Sequence, residues 1–101
     1  MAYIRPGLRK RKESALEQWC VKWARSRQIV VAKLTEVSGI PDRVFFIPGG
    51  KPLIVEFKKR AEKPDPLQDW YLKRLLDDGY HVGWCEARDG FLAEMKERGV
   101  K

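Results

Sequence analysis

The chain has 101 residues, 44% hydrophobic and 35% charged, with a formal net charge of +7 and an isoelectric point near 9.7. That length fits one domain with a thin stability margin, because a chain this short buries only about two thirds of its unfolded surface. No run reaches the ~18 apolar residues of a membrane span, two cysteines are too few for a disulfide scaffold, and a lone histidine, His81, excludes a histidine-rich zinc site.

The positive surplus favours polyanionic partners, above all nucleic acid. Residues 1–12 read as a basic arm: Arg5 to Lys12 carries five positive charges and no negative one, including Arg9, Lys10, Arg11 and Lys12. As a functional element the arm straps DNA phosphates and releases their counterions; as a bland one it is a solubilising tail. It lacks the apolar stretch of a secretory signal. Residues 13–101 then form a single domain, with Cys20 and Cys85 as free, buried thiols suited to a reducing cytoplasm.

Ser14-Ala-Leu-Glu17 has the form of a capping box and starts a helix, whose Leu16, Trp19, Cys20 and Trp23 make one apolar face. Ile29 to Leu34 is short and β-branched, hence a strand. A loop leads through Pro41 to a second strand over Arg43–Ile47. The Pro48-Gly-Gly-Lys51 turn returns the chain into a third strand, Pro52–Lys58, so the second and third strands form a hairpin. Lys59 to Pro66 reads as a loop. A second helix spans about Leu67–Asp78, with Gly79 at its C-terminal cap. Tyr80–Cys85 is a fourth strand and Phe91–Arg98 a short terminal helix. The tryptophans Trp19, Trp23, Trp70 and Trp84 lie on apolar faces, which favours core packing over base stacking; Trp23 and Trp84 can alternatively serve a dimer interface. His81 reads as structural or exposed. The pattern is a small α/β fold, a mixed sheet with flanking helices.

Glu56 and Lys58 interrupt an apolar strand. A carboxylate among Leu53, Ile54, Val55 and Phe57 is costly unless paired or bound to a metal. Period-two alternation puts Ile54, Glu56 and Lys58 on one face. With 13 residues between Asp42 and Glu56, the hairpin brings the head of the second strand beside the end of the third. Two carboxylates converging with a lysine make a site for a hard cation, Mg²⁺ or Mn²⁺, able to activate water against a phosphodiester. Lys58 would orient or activate that water, or neutralise the growing negative charge. Each residue also has a bland reading: Asp42 as a turn residue, Glu56 and Lys58 as a solvated face, Glu17 as the third residue of its capping box.

Pro41-Asp42 with Glu56-Phe-Lys58 resembles the PD-(D/E)xK nuclease signature. More narrowly, the chain resembles the virus-type replication–repair nuclease (VRR-NUC) family. The elements that carry the likeness are Glu17, Lys33, Gly39-Ile-Pro-Asp-Arg43, Gly49-Gly50, Ile54-Val-Glu-Phe-Lys58 and Gln68, which together span roughly residues 14–87. The resemblance implies a restriction-endonuclease-like core. It implies a metal held by Asp42, Glu56 and the backbone carbonyl of Phe57, with Glu17 approaching directly or through water. Lys58 would be the catalytic lysine, and Gln68 would complete the site unless it is simply an exposed amide. Lys33, Arg43, Lys59 and Arg60 would hold phosphates or remain solvated surface. Stand-alone members are similar to Holliday junction resolvases, which implies a homodimer acting on branched DNA in a bacterial or phage-infected cell. The competing readings are a DNA-binding module without hydrolysis and a nuclease of exonuclease type. Two convergent carboxylates argue against pure phosphate binding, which they would oppose.

Overall fold

The computed structural model describes residues 14–59 and 62–101. The expectations for Arg9, Lys10, Arg11 and Lys12 in the arm, and for Arg60, lie outside the described residues.

Helix α1 (Ala15–Arg25) begins where Ser14 caps it, its hydroxyl accepting the Glu17 N–H at 3.0 Å. The capping box is only half formed, because the Glu17 carboxylate binds Arg43 instead of turning back to Ser14. Cys20, Val21 and Ala24 bury the apolar face. The helix stops with Gln28 in the left-handed region (φ 63°). There the Gln28 N–H donates to the Arg25 carbonyl and the Ile29 N–H to that of Ala24, a Schellman closure.

Strands β1 (Val30–Lys33), β2 (Arg43–Phe46) and β3 (Leu53–Phe57) form an antiparallel meander, so the expected hairpin is present. Helix α2 (Pro66–Asp77) carries the chain across to β4 (His81–Cys85), which pairs parallel with β3. Helix α3 (Arg88–Glu97) closes the fold. The sheet order is β1-β2-β3-β4, a small mixed sheet with flanking helices as the sequence implies.

Alternation along the strands assigns each side chain to a layer. Val31, Phe45, Leu53, Val55 and Phe57 join Cys20, Val21, Phe91 and Met95 in one core, under α1 and α3. Phe45 anchors it, its ring 5.2 Å from Phe91 and 6.4 Å from Phe57. Ile54 and Glu56 point the other way, toward α2, although both are buried.

Three expectations change. Trp19 and Trp23 pack against the core, but Trp70 and Trp84 are about half exposed. The reason is topological: β4 is an edge strand, and α2 buries little besides Leu72. Helix α3 starts at Arg88 rather than Phe91. Gly90 disguises its first turn, and the burial of Phe91 and Met95 holds it in place. Helix α2 starts at Pro66, with Asp65 as its cap.

Candidate active site

The β2–β3 register fixes the site. Arg43 pairs with Val55, Val44 with Ile54 and Phe45 with Leu53. One step further along the same register, Asp42 stands directly opposite Glu56. Directly opposed residues share a face and lie close enough for their side chains to interact. The Asp42 carboxylate continues the ladder where the strands part: its Oδ2 accepts the Phe57 N–H at 2.8 Å, while its backbone carbonyl accepts the Leu34 N–H at 2.8 Å. Asp42 is thus anchored to strands on both sides.

Glu56 is 1% exposed. Its Oε2 accepts a hydrogen bond from Gln68 Nε2 at 2.7 Å and lies 3.4 Å from Lys58 Nζ. These are the interactions a buried carboxylate requires. Lys58 follows on the same face, and its backbone N–H donates to the Cys85 carbonyl at 2.9 Å, so the edge strand steadies the lysine's main chain.

Gln68 is held from two directions. It is the third residue of a complete capping box, in which its N–H donates to Asp65 Oδ1 (2.9 Å) and its Oε1 accepts the Asp65 N–H (3.0 Å). That fixes the amide orientation and leaves Nε2 aimed at Glu56. The sequence contained this signal as Asp65-Pro-Leu-Gln68, an N-cap residue, a proline at the first helical position and a glutamine at the third, yet the segment reads as loop when judged by its polarity. Gly39 also fits here. Its φ is +88°, and a Cβ there would stand 2.6 Å from Leu67 Cγ. A glycine therefore lets the loop before Asp42 seat against the first turn of α2, beside Gln68.

Glu17 and Arg43 fall on the other side of the sheet. Arg43 neighbours Asp42 in sequence, so it faces the opposite layer, alongside Phe45. Its Nε donates to Glu17 Oε2 at 2.8 Å, with both side chains buried. Arg43 is accordingly turned inward as a structural cation rather than outward toward phosphates. Lys33 pairs with Arg43 across β1 and β2 and is exposed. Lys59 is exposed just past the site. Phe57 contributes its N–H, bonded to Asp42.

Among the described residues, no group of three or more His, Cys, Asp or Glu stands together to hold a metal. The site brings together two carboxylates, Asp42 and Glu56. That donor set still fits a hard cation, since Mg²⁺ is commonly held by one or two carboxylates and completes its octahedron with water and substrate phosphate.

No family model matches the chain. Over 51 residues it is 39% identical to “Putative nuclease p44” of Acyrthosiphon pisum secondary endosymbiont phage 1, a stretch covering 50% of this chain and 55% of that protein. The chain thus spans about half the length of this curated relative. A solved structure titled “VRR_NUC domain” is similar with a TM-score of 0.71 and 25% identity, over 81% of this chain and 90% of that one.

Proposed function

We propose that this chain, which has the VRR_NUC fold, is a nuclease that hydrolyses DNA phosphodiesters with Mg²⁺ or Mn²⁺. The observation that supports it best is the placement of Asp42 opposite Glu56, with Lys58 Nζ 3.4 Å from the Glu56 carboxylate. The net charge of +7 suits a polyanionic substrate. The described residues include no helix long and apolar enough to cross a membrane.

Asp42 and Glu56 would hold the cation, with the Phe57 carbonyl as a further oxygen. A bound divalent ion would supply Lewis acidity toward the scissile phosphate and a more acidic water. The chain's own groups do the rest. The Phe57 N–H fixes the Asp42 rotamer, and Gln68 fixes that of Glu56. Lys58 places a positive charge where negative charge grows on the phosphate and can orient the attacking water. Glu17 acts at one remove: by holding Arg43 it fixes the head of β2, and with it Asp42. Exposed Lys33 and Lys59, with Arg60 and the arm residues Arg9 to Lys12, supply phosphate contacts. The preferred substrate in this reading is branched DNA, cut by a homodimer in the cytoplasm of a bacterial or phage-infected cell.

The test is cleavage of labelled four-way junction, flap and linear duplex DNA in Mg²⁺, Mn²⁺ or EDTA, comparing wild type with Glu56→Ala. Metal-dependent cutting, lost in the variant and strongest on the junction, is the expected result. Binding of these DNAs without cutting under any metal would establish a binding module instead. Release of terminal nucleotides only would make the enzyme an exonuclease.

A further inference from the structure

Three of the four tryptophans are engaged by other side chains. Trp19 lies under the Arg88 guanidinium at 4.6 Å, Trp23 meets Arg27 at 3.8 Å and Phe91 at 5.7 Å, and Trp70 meets Tyr71 at 5.0 Å. Among the described residues, Trp84 is the tryptophan whose indole has no ring, guanidinium or hydrogen-bond partner. It is half exposed on β4, the last strand of the sheet. A bare indole forgoes the burial that its large apolar surface favours.

The strand register supplies a reason for the placement. β3 and β4 run parallel, with Ile54 beside Val82, Val55 beside Gly83 and Glu56 beside Trp84. Val55 belongs to the core under α1 and α3. Alternation therefore turns Trp84 to the opposite face, the one that carries Glu56. Neighbouring strands lie ~4.8 Å apart, so the indole stands one strand over from the carboxylate.

We infer that Trp84 is the stacking platform for an unpaired nucleobase beside the phosphate to be cut, which makes the preferred substrate DNA with unpaired nucleotides at its branch point. The inference rests on the proposed role of Asp42 and Glu56, because their cation is what fixes the phosphate. A phosphate fixed over Glu56 carries its base a sugar's width away, a reach comparable to one strand spacing. Inside a duplex, both faces of that base are taken by its neighbours, and freeing it costs stacking and pairing energy. A base already unpaired escapes that cost and offers a whole face to the indole. Every base has such a face, so the contact selects unpaired structure rather than sequence. A protein partner fits the position less well. Interfaces between proteins keep charge out of their cores, whereas this indole adjoins the Glu56 carboxylate and its Lys58 partner in a chain of net charge +7.

Phe46 provides the contrast. It is half exposed on the same face of the sheet, but it stands at the turn end of β2, paired with Val30 and away from Glu56.

The test is fluorescence-anisotropy binding of the full chain to three forked DNAs in Ca²⁺, with circular dichroism to verify folding. One fork is paired up to its branch point, one has two unpaired adenines there, and one has two abasic nucleotides in their place. The abasic fork keeps the phosphates and removes only the base faces. Wild type should bind the adenine fork about tenfold more tightly than the abasic one, as expected for a base–aromatic stack. It should bind the fully paired fork no better than the abasic one. Trp84→Ala should bring the adenine-to-abasic ratio close to one, Trp84→Phe should keep most of it, and Phe46→Ala should keep all of it. Wild type and Trp84→Ala should share one slope of log affinity against log salt, because the lost contact releases no counterions. A wild type that does not distinguish the adenine fork from the abasic one, or a folded Trp84→Ala that keeps the preference, would overturn the inference. Cleavage of the same forks in Mg²⁺ or Mn²⁺ is scored separately. A base preference without cutting in any metal would sink the nuclease and leave the platform, and cutting without a base preference would do the reverse.

Discussion

At the scale of single residues, the site works through constrained rotamers, and its predictions concern those constraints. Glu56→Gln and Lys58→Ala should each lower cleavage about 10²–10³-fold, with folding intact by circular dichroism. Gln68→Glu keeps the oxygen that the Asp65 N–H requires but sets a second carboxylate against Glu56. It should depress cleavage at neutral pH, and most of the loss should return at lower pH as the pair takes up a proton. For the buried pair of Glu17 and Arg43, removing one partner strands a charge. Glu17→Ala should therefore cost about 3–5 kcal/mol in urea denaturation, whereas Glu17→Leu combined with Arg43→Met should be near neutral. Cleavage by that double variant should stay within about tenfold of wild type if Glu17 only positions; a loss of a hundredfold or more would make it a ligand. The spacing of Asp42, Glu56 and Lys58 was legible because strand period and hairpin length are local quantities. The engagement of Glu17 with Arg43 was not. It depends on the sheet face to which residue 43 belongs, and that becomes visible only once a helix is known to cover it.

At the scale of elements, the helix ends carry most of the information. Helices α1, α2 and α3 close alike, each through a left-handed residue: Gln28, Gly79 and Gly99. Gln28 alone has a side chain there, at a steric cost of about 1 kcal/mol. Gln28→Gly should raise stability by about 0.5–1 kcal/mol, read as a shift in the urea midpoint at constant slope. Gly39→Ala should do the reverse and also slow cleavage, because it meets Leu67 and needs a positive φ. Adding Leu67→Ala should relieve the contact but not the backbone term, so the rescue should be partial. Strand positions are legible in the sequence to within a residue or so, since β-branched runs and turn glycines mark them. The start of α3 was hidden because Gly90 and the uncapped Ala87 give no local signal, and tertiary burial decides it. Trp70 and Trp84 misled for a related reason: an apolar residue shows that a face is available to be covered, not that the same chain covers it.

At the scale of the whole molecule, the two thiols link α1 to the end of β4. Contact with Cys20 lowers the Cys85 thiol to about 7, and Cys85 together with burial pushes the Cys20 thiol far above its ordinary 9.0. The two shifts act oppositely on stability. The depressed Cys85 adds stability above pH 9 that is lost as pH falls through about 7. The raised Cys20 contributes fully below pH 9 and is lost as pH rises beyond it, since the unfolded chain gives up that proton more readily. Urea midpoints should therefore rise between pH 7 and 9 and fall above pH 9, and Cys20→Ala should flatten both limbs while lowering stability throughout.

The hairpin that unites Asp42 and Glu56 is joined at its far end by the turn over Pro48–Lys51, where Gly49 and Gly50 both have open space around them. Five residues of strand, on the order of 17 Å, separate that turn from the chemistry. The chain therefore has a built-in grafting point. A recognition peptide or a fluorescent reporter inserted between the two glycines would extend the hairpin away from the end that holds Asp42 and Glu56, so that an added binding element and the proposed nuclease site can be engineered independently on a chain of this size.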